Sequence, residues 1–190
     1  MSEQLRLWAE APTQHNVFFA ARPDSKAVES AVRVRQSLLL QHRRFAAKSI
    51  PSERLHVSLL GGFVDPLPPA IMSAAMTAAG TVSMPPFKVM FNRISSFNGG
   101  SGQLALVLTG DEGIVGFRKL QEALSLALAK AGLSRRRKTL PTPHMTIAYS
   151  DRSCELSIEP ICWTVNEFVL IDSLVGQSRH LLLGRWPCVG

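Results

Sequence analysis

Cysteine is scarce: 190 residues hold three, Cys154, Cys162 and Cys188, all late and none in CxxC spacing. Such a set supplies neither a disulfide framework nor a zinc site, and fits thiols in a reducing compartment. The cytoplasm is the expected location. Long apolar runs are missing too. None approaches the ~20 residues that span a bilayer, so no membrane partner is expected. Residues Met1 to Pro12 contain Glu3, Arg6 and Glu10 without an apolar stretch, unlike a signal peptide. No GxSxG or HExxH occurs, and Gly99-Gly100-Ser101-Gly102 lacks the lysine and the strand–helix frame of a phosphate-binding loop. Acidic residues number 14 against 21 Lys and Arg, which leaves a net charge of +7.

Two short stretches share one grammar: Leu55-His56-Val57-Ser58-Leu59 and Pro143-His144-Met145-Thr146-Ile147. Histidine, apolar residue, hydroxyl residue and apolar residue alternate as in a half-buried strand. Side chains at i and i+2 leave one face of a strand. His56 with Ser58, and His144 with Thr146, therefore point one way, and Val57, Leu59, Met145 and Ile147 the other. A lone His-x-Ser/Thr arises by chance about once in a chain of this kind. Context raises the significance of this pair. Phe18 lies in an apolar run and 56 − 18 = 38; Leu106 lies in another and 144 − 106 = 38. A helical pattern occupies each interval. The first starts near Pro23-Asp24 and carries Val28, Ala31, Val32, Leu38 and Leu39. The second starts near Asp111-Glu112, carries Ile114, Phe117, Leu120, Leu124 and Leu128, and stops at Gly132. Strand, helix and motif strand thus occur twice, as an internal duplication would produce.

Between the units, Ala70 to Ala79 reads as a small-residue helix ended by Gly80, and Phe87 to Phe91 as a strand before the turn Asn98-Gly99-Gly100. A polar link from Ser150 to Ser157 leads to closing strands at about Trp163–Ile171 and Arg179–Gly184. The expected class is α+β: antiparallel sheets in two pseudo-symmetric lobes, helices outside, a central cleft between, and one domain spanning 1–190.

Basic clusters precede both motifs: Arg43, Arg44, Lys48 and Arg54 before the first, Arg135, Arg136, Arg137 and Lys138 before the second. Each alone reads as a solvated loop; two in equivalent places suit an anionic ligand such as a phosphate or nucleic acid. Paired histidines act on a phosphodiester without a metal. A neutral imidazole takes a proton from the attacking oxygen and an imidazolium gives one to the leaving oxygen, each role worth ~10²–10⁴ in rate. An unperturbed pKa near 6.5 makes both forms accessible. Ser58 and Thr146 would donate to the non-bridging oxygens.

These residues resemble the 2H phosphoesterase superfamily and, within it, the bacterial 2′-5′ RNA ligase / RNA 2′,3′-cyclic phosphodiesterase family. The likeness rests on Arg54 to Gly62, on Thr142 to Ile147, and on the ending Phe168 to Ser173 with Leu182 to Pro187. It implies hydrolysis of RNA 2′,3′-cyclic phosphate ends to 2′-phosphates with no cofactor, and 2′-5′ ligation in reverse. Carried onto this chain, His56 would protonate the leaving 3′ oxygen, His144 would activate water, and Ser58 and Thr146 would hold the phosphate; the roles exchange in the ligation direction. Substrate contacts are expected from Arg43, Arg44, Arg54, Arg137, Lys138, Tyr149 and His180. Three positions depart from the pattern: Ser58 where threonine is commoner, Tyr149 where many relatives have arginine, and His180 where tyrosine is frequent. The expected partner is an RNA or nucleotide with a cyclic phosphate, bound by a monomer. Alternatives are a hydrolase of a small cyclic nucleotide and a binding module without turnover, the latter disfavoured by two intact motifs. His15 and His42 read as surface residues, Trp163 and Trp186 as core, and Arg35 and Arg118 as solvated.

Overall fold

The strand β1 (His15–Ala21) buries Val17 to Ala21 without interruption, because both its faces are covered. Val17, Phe19 and Ala21 enter the main core, whereas Phe18 and Ala20 form a second apolar cluster with Val169 and Ile171. That division sets the architecture: one face of the sheet carries the helices and the main core, the other the cleft. A computed structural model gives these positions for residues 14–41, 47–61, 67–99, 102–133 and 140–190.

The remaining strands are β2 (Ala47–Ser49), β3 (Val57–Gly61), β4 (Phe87–Asn98), β5 (Leu104–Thr109), β6 (Met145–Ser150), β7 (Leu156–Val165), β8 (Glu167–Leu174) and β9 (Arg179–Pro187). They form one nine-stranded sheet in the order β7-β4-β5-β6-β3-β1-β8-β9, with β2 beside β6, and the pairings are antiparallel. Read outward from the centre, β6, β5, β4 and β7 mirror β3, β1, β8 and β9. The expected two pseudo-symmetric halves are thus present within a continuous sheet. The halves meet at a single registered pair, Val57 with Met145. Beyond it the strands part, and β2 takes the place beside the later residues of β6.

The helices are α1 (Ser25–Gln41), α2 (Pro69–Ala79) and α3 (Val115–Lys130). The Asp24 carboxylate accepts the Ala27 N–H at 2.8 Å and caps α1. Pro69 opens α2 at a position that needs no N–H. Phe117, Leu120, Leu124 and Leu128 make the buried stripe of α3, and Gly132, at φ +75°, supplies the left-handed stop.

Several boundaries differ from the sequence reading. The residues 163–171 are not one strand: the chain turns at Asn166, so that β7 pairs with β4 and β8 with β1. The supposed polar link already contains the start of β7. The alternation of β7 ends at Val165, and after the two polar residues Asn166 and Glu167 the buried run Phe168 to Ile171 begins. β4 runs on to Asn98, β9 to Pro187, and β2 was not foreseen, being only three residues long.

The duplication itself is offset by one residue from the equal spacing of 38. Phe18 pairs with Gly61 and Ala105 with Tyr149; Phe19 pairs with Leu60 and Leu106 with Ala148. The counterpart of Phe18 is therefore Ala105, and the second interval is 144 − 105 = 39.

Candidate active site

His56 and His144 stand immediately before β3 and β6, one residue ahead of the strands expected to contain them, and each precedes one member of the central pair Val57–Met145. Val57 and Met145 are fully buried, while the histidines between their buried neighbours remain partly open. The two imidazoles are fixed in the same manner. His56 Nδ1 lies 2.7 Å from the Arg54 carbonyl, and His144 Nδ1 lies 2.7 Å from the Thr142 carbonyl. A carbonyl only accepts, so Nδ1 carries the proton in both rings and Nε2 is left to exchange protons elsewhere.

An aromatic ring holds each imidazole from the side: Phe18 at 5.0 Å from His56 and Phe97 at 4.9 Å from His144, between ring centres. Burial lowers both pKa values below 6.5 despite the opposing carbonyl bonds. Arg54, the other histidine and Arg22 lower that of His56 further.

Ser58 and Thr146 sit two residues on, opposite Ala20 and Val107, on the cleft face. Neither hydroxyl has a protein hydrogen bond among the described residues. Both motif strands then carry a bulge, at Leu59 and Ile147, which leaves two consecutive residues toward the core. The bulge returns Gly61 and Tyr149 to the cleft face, five residues after their histidines. Tyr149 thus shares a face with His144 and Thr146.

His180 is brought to the site from β9. Its ring centre is 5.4 Å from that of His56, and its Nε2 accepts the Arg54 Nε–H at 3.3 Å. Burial first, and then the positive charges of His56, Arg54 and Arg22, push its pKa down to about 4. His180 is therefore a neutral acceptor at physiological pH. It orients Arg54, whose carbonyl in turn orients His56. Arg43, Arg44, Arg137 and Lys138 lie outside the described residues, as do Arg135 and Arg136.

Two residues at the base of the site were missed or misread. Gln121 on α3, fully buried, donates to the carbonyls of Leu59 at 3.0 Å and Pro141 at 3.1 Å. It ties the β3 bulge to the segment leading into His144. Its signal was present: a polar residue on the apolar stripe of a helix. Arg35 is not solvated as expected, since its guanidinium donates to the Ile50 carbonyl while the Ile50 N–H binds the carbonyl of the other bulge residue, Ile147. His15 is not simply a surface residue either: its Nδ1 lies 2.7 Å from the buried Asp172 carboxylate. That pair is on the helix side of the sheet, away from the cleft.

The arrangement can take a proton at one Nε2 and deliver one from the other across a ligand held between Ser58 and Thr146. The fold has close counterparts. E. coli LigT in apo form superposes at a TM-score of 0.70 with 21% identity, covering 94% of this chain and 99% of that one. E. coli LigT complexed with 3′-AMP gives 0.73 with 20% identity, covering 93% and 99%. TT0787 of Thermus thermophilus gives 0.73 with 19% identity, covering 92% and 98%. At these identities the likeness is one of fold. No protein of curated function matches the chain at a significant level. The sequence profile of the 2′-5′ RNA ligase superfamily matches residues 23–177, the greater part of the chain and both histidine motifs. By that match the chain belongs to the 2′-5′ RNA ligase superfamily, the 2H phosphoesterases.

Proposed function

We propose that this protein hydrolyses the 2′,3′-cyclic phosphate ends of RNA to 2′-phosphomonoesters by acid–base catalysis between His56 and His144. The observation that carries the proposal is the matched tethering of the two rings: both Nδ1–H groups are donated to the carbonyl two residues back, which leaves Nε2 in each ring for proton exchange.

In the forward reaction His144 Nε2 takes a proton from water as its oxygen attacks phosphorus. The bond from phosphorus to the 3′ oxygen breaks, and that oxygen takes its proton from His56 Nε2. The phosphate stays on the 2′ oxygen. His144 ends protonated and His56 neutral, and exchange with solvent resets them. Ser58 and Thr146 donate to the non-bridging oxygens, where charge concentrates in the transition state. With a 5′ hydroxyl in place of water as the nucleophile, the same forward exchange breaks the bond to the 3′ oxygen and joins ends through a 2′-5′ linkage. The scheme requires no Lewis acid because each proton has a side-chain carrier. A nucleotide ligand agrees with the structure of LigT complexed with 3′-AMP. The chain is proposed to act as a monomer in the cytoplasm, where its three thiols remain free.

The test is turnover of an RNA oligonucleotide ending in a 2′,3′-cyclic phosphate, in the presence of a chelator. A 2′-phosphate at an undiminished rate is the expected result. A 3′-phosphate product, or loss of the rate on chelation, contradicts the proposal.

A further inference from the structure

At His56, which forms part of its wall, the cleft deepens into a cavity of about 360 Å³ that extends away from His56 toward β9. Its rim carries Arg22, Arg54 and Arg179, against one acidic residue, Glu53. Ile171 and Leu182 are the apolar side chains of its lining outside the His56 motif. None of the three arginines has an ion pair among the described residues. The Arg54 Nε–H is given to neutral His180, and Arg22 reaches only the Glu53 carbonyl, at 3.5 Å. Glu53 is engaged by the Ser52 hydroxyl at 3.3 Å. The field in the cavity is therefore positive. The low pKa of His180 agrees, since each charge that moves it is a cation.

Cationic side chains around a concave wall, without their own carboxylates, form a receptor for an anion. Its position specifies which anion. A nucleotide joins its 3′ end to its 5′ phosphate through one ribose, and His180, at the cavity wall, is 5.4 Å from His56 between ring centres. We infer that this cavity binds the phosphate on the 5′ side of the terminal nucleotide, so that the enzyme reads two successive phosphates, one reacting on the histidines and one held by Arg22, Arg54 and Arg179. The inference rests on the proposed reaction and narrows its substrate to nucleotides that carry a 5′ phosphoryl group. Both an RNA chain and a 5′-monophosphate supply that group.

The experiment compares kcat/KM for three substrates: a nucleoside 2′,3′-cyclic phosphate, the same compound with a 5′-phosphate, and a dinucleotide with the same cyclic end. The 5′-phosphate and the dinucleotide are each expected to exceed the plain nucleoside roughly 10- to 100-fold, the range of a charge-assisted contact. Arg179→Ala and Arg22→Ala should each bring those ratios toward one, and Arg179→Lys should keep part of the gain. Arg179 and Arg22 are exposed, so folding is not at stake, and a ratio is insensitive to the amount of active protein. Equal rates on all three substrates overturn the inference and leave the proposed reaction intact. A gain confined to the dinucleotide also overturns it, because the second nucleoside would then be what is read. Ratios unchanged in both alanine variants overturn it as well. No turnover of any of the three overturns the proposed reaction, and this inference with it.

Discussion

Gly61 lies directly across the β1–β3 ladder from Phe18, and a Cβ built on Gly61 would stand 2.9 Å from the Phe18 Cβ. Phe18 is the ring packed on His56, so the missing side chain at 61 is what seats that aromatic wall. In the other half Tyr149 holds the equivalent place and small Ala105 faces it. The two halves thus distribute large and small residues in opposite order around equivalent histidines. Gly61→Ala is expected to force Phe18 toward His56, costing roughly 1–3 kcal/mol as overpacking does. The Cβ of Phe18 cannot swing away as a side-chain tip could. Thermal melting and kcat together check this: a small loss of stability with a larger loss of rate is expected. A variant with wild-type kcat would show that Phe18 does not position the histidine.

The pH dependence follows from the burial of both rings. A general base works only above its pKa and a general acid only below its own, so kcat/KM should trace a bell. Both free-enzyme values are displaced below 6.5, which puts the optimum of kcat/KM on the acid side of that value. A rate that climbs steadily through pH 8 would contradict the two-histidine scheme.

His180→Lys sharpens that test. It sets a permanent cation where a neutral ring now stands beside His56. A cation disfavours the imidazolium, so the pKa of His56 should fall further and the alkaline limb of kcat/KM should move to lower pH. His180→Gln, which keeps an acceptor for Arg54, should leave that limb nearer its original place. Movement of the acid limb instead would assign the acid role to His144.

Much of this site was legible before any coordinates, and the reasons are local. Alternation placed His56 with Ser58 and His144 with Thr146 on one face, because Val57, Leu59, Met145 and Ile147 had to be buried. Asp24 and Gly132 marked helix ends through capping chemistry that is read residue by residue. What escaped depends on register between distant segments. Neither bulge has a sequence mark, since Leu59-Leu60 and Ile147-Ala148 read as ordinary apolar pairs. The return of Tyr149 to the cleft and the offset between Phe18 and Ala105 were hidden with them. The turn at Asn166 escaped for a different reason: it takes a single residue between two apolar strands, with no Gly or Pro to mark it.

Gln121 stood out in the sequence as a polar residue on an apolar stripe, but its partners are legible only in three dimensions. The buried Leu59 carbonyl on β3 and the partly buried Pro141 carbonyl ahead of β6 take their hydrogen bonds from one amide. Gln121→Leu preserves the apolar stripe and removes both bonds, which should destabilise the fold by about 1–3 kcal/mol, chiefly through the buried Leu59 carbonyl left unsatisfied. Denaturant unfolding measures the loss. A variant as stable as the parent would mean that water replaces the amide.

The most direct test of the account is product analysis of a cyclic-phosphate-ended RNA with His56→Ala, His144→Ala and the double variant. Each single substitution should lower kcat by ~10²–10⁴, and the double variant should lose little more than the worse single one, because the two act as a unit. The wild type should yield only the 2′-phosphate. A single variant that retains the parental rate and product would contradict the claim that these two histidines share the proton transfers at one phosphate.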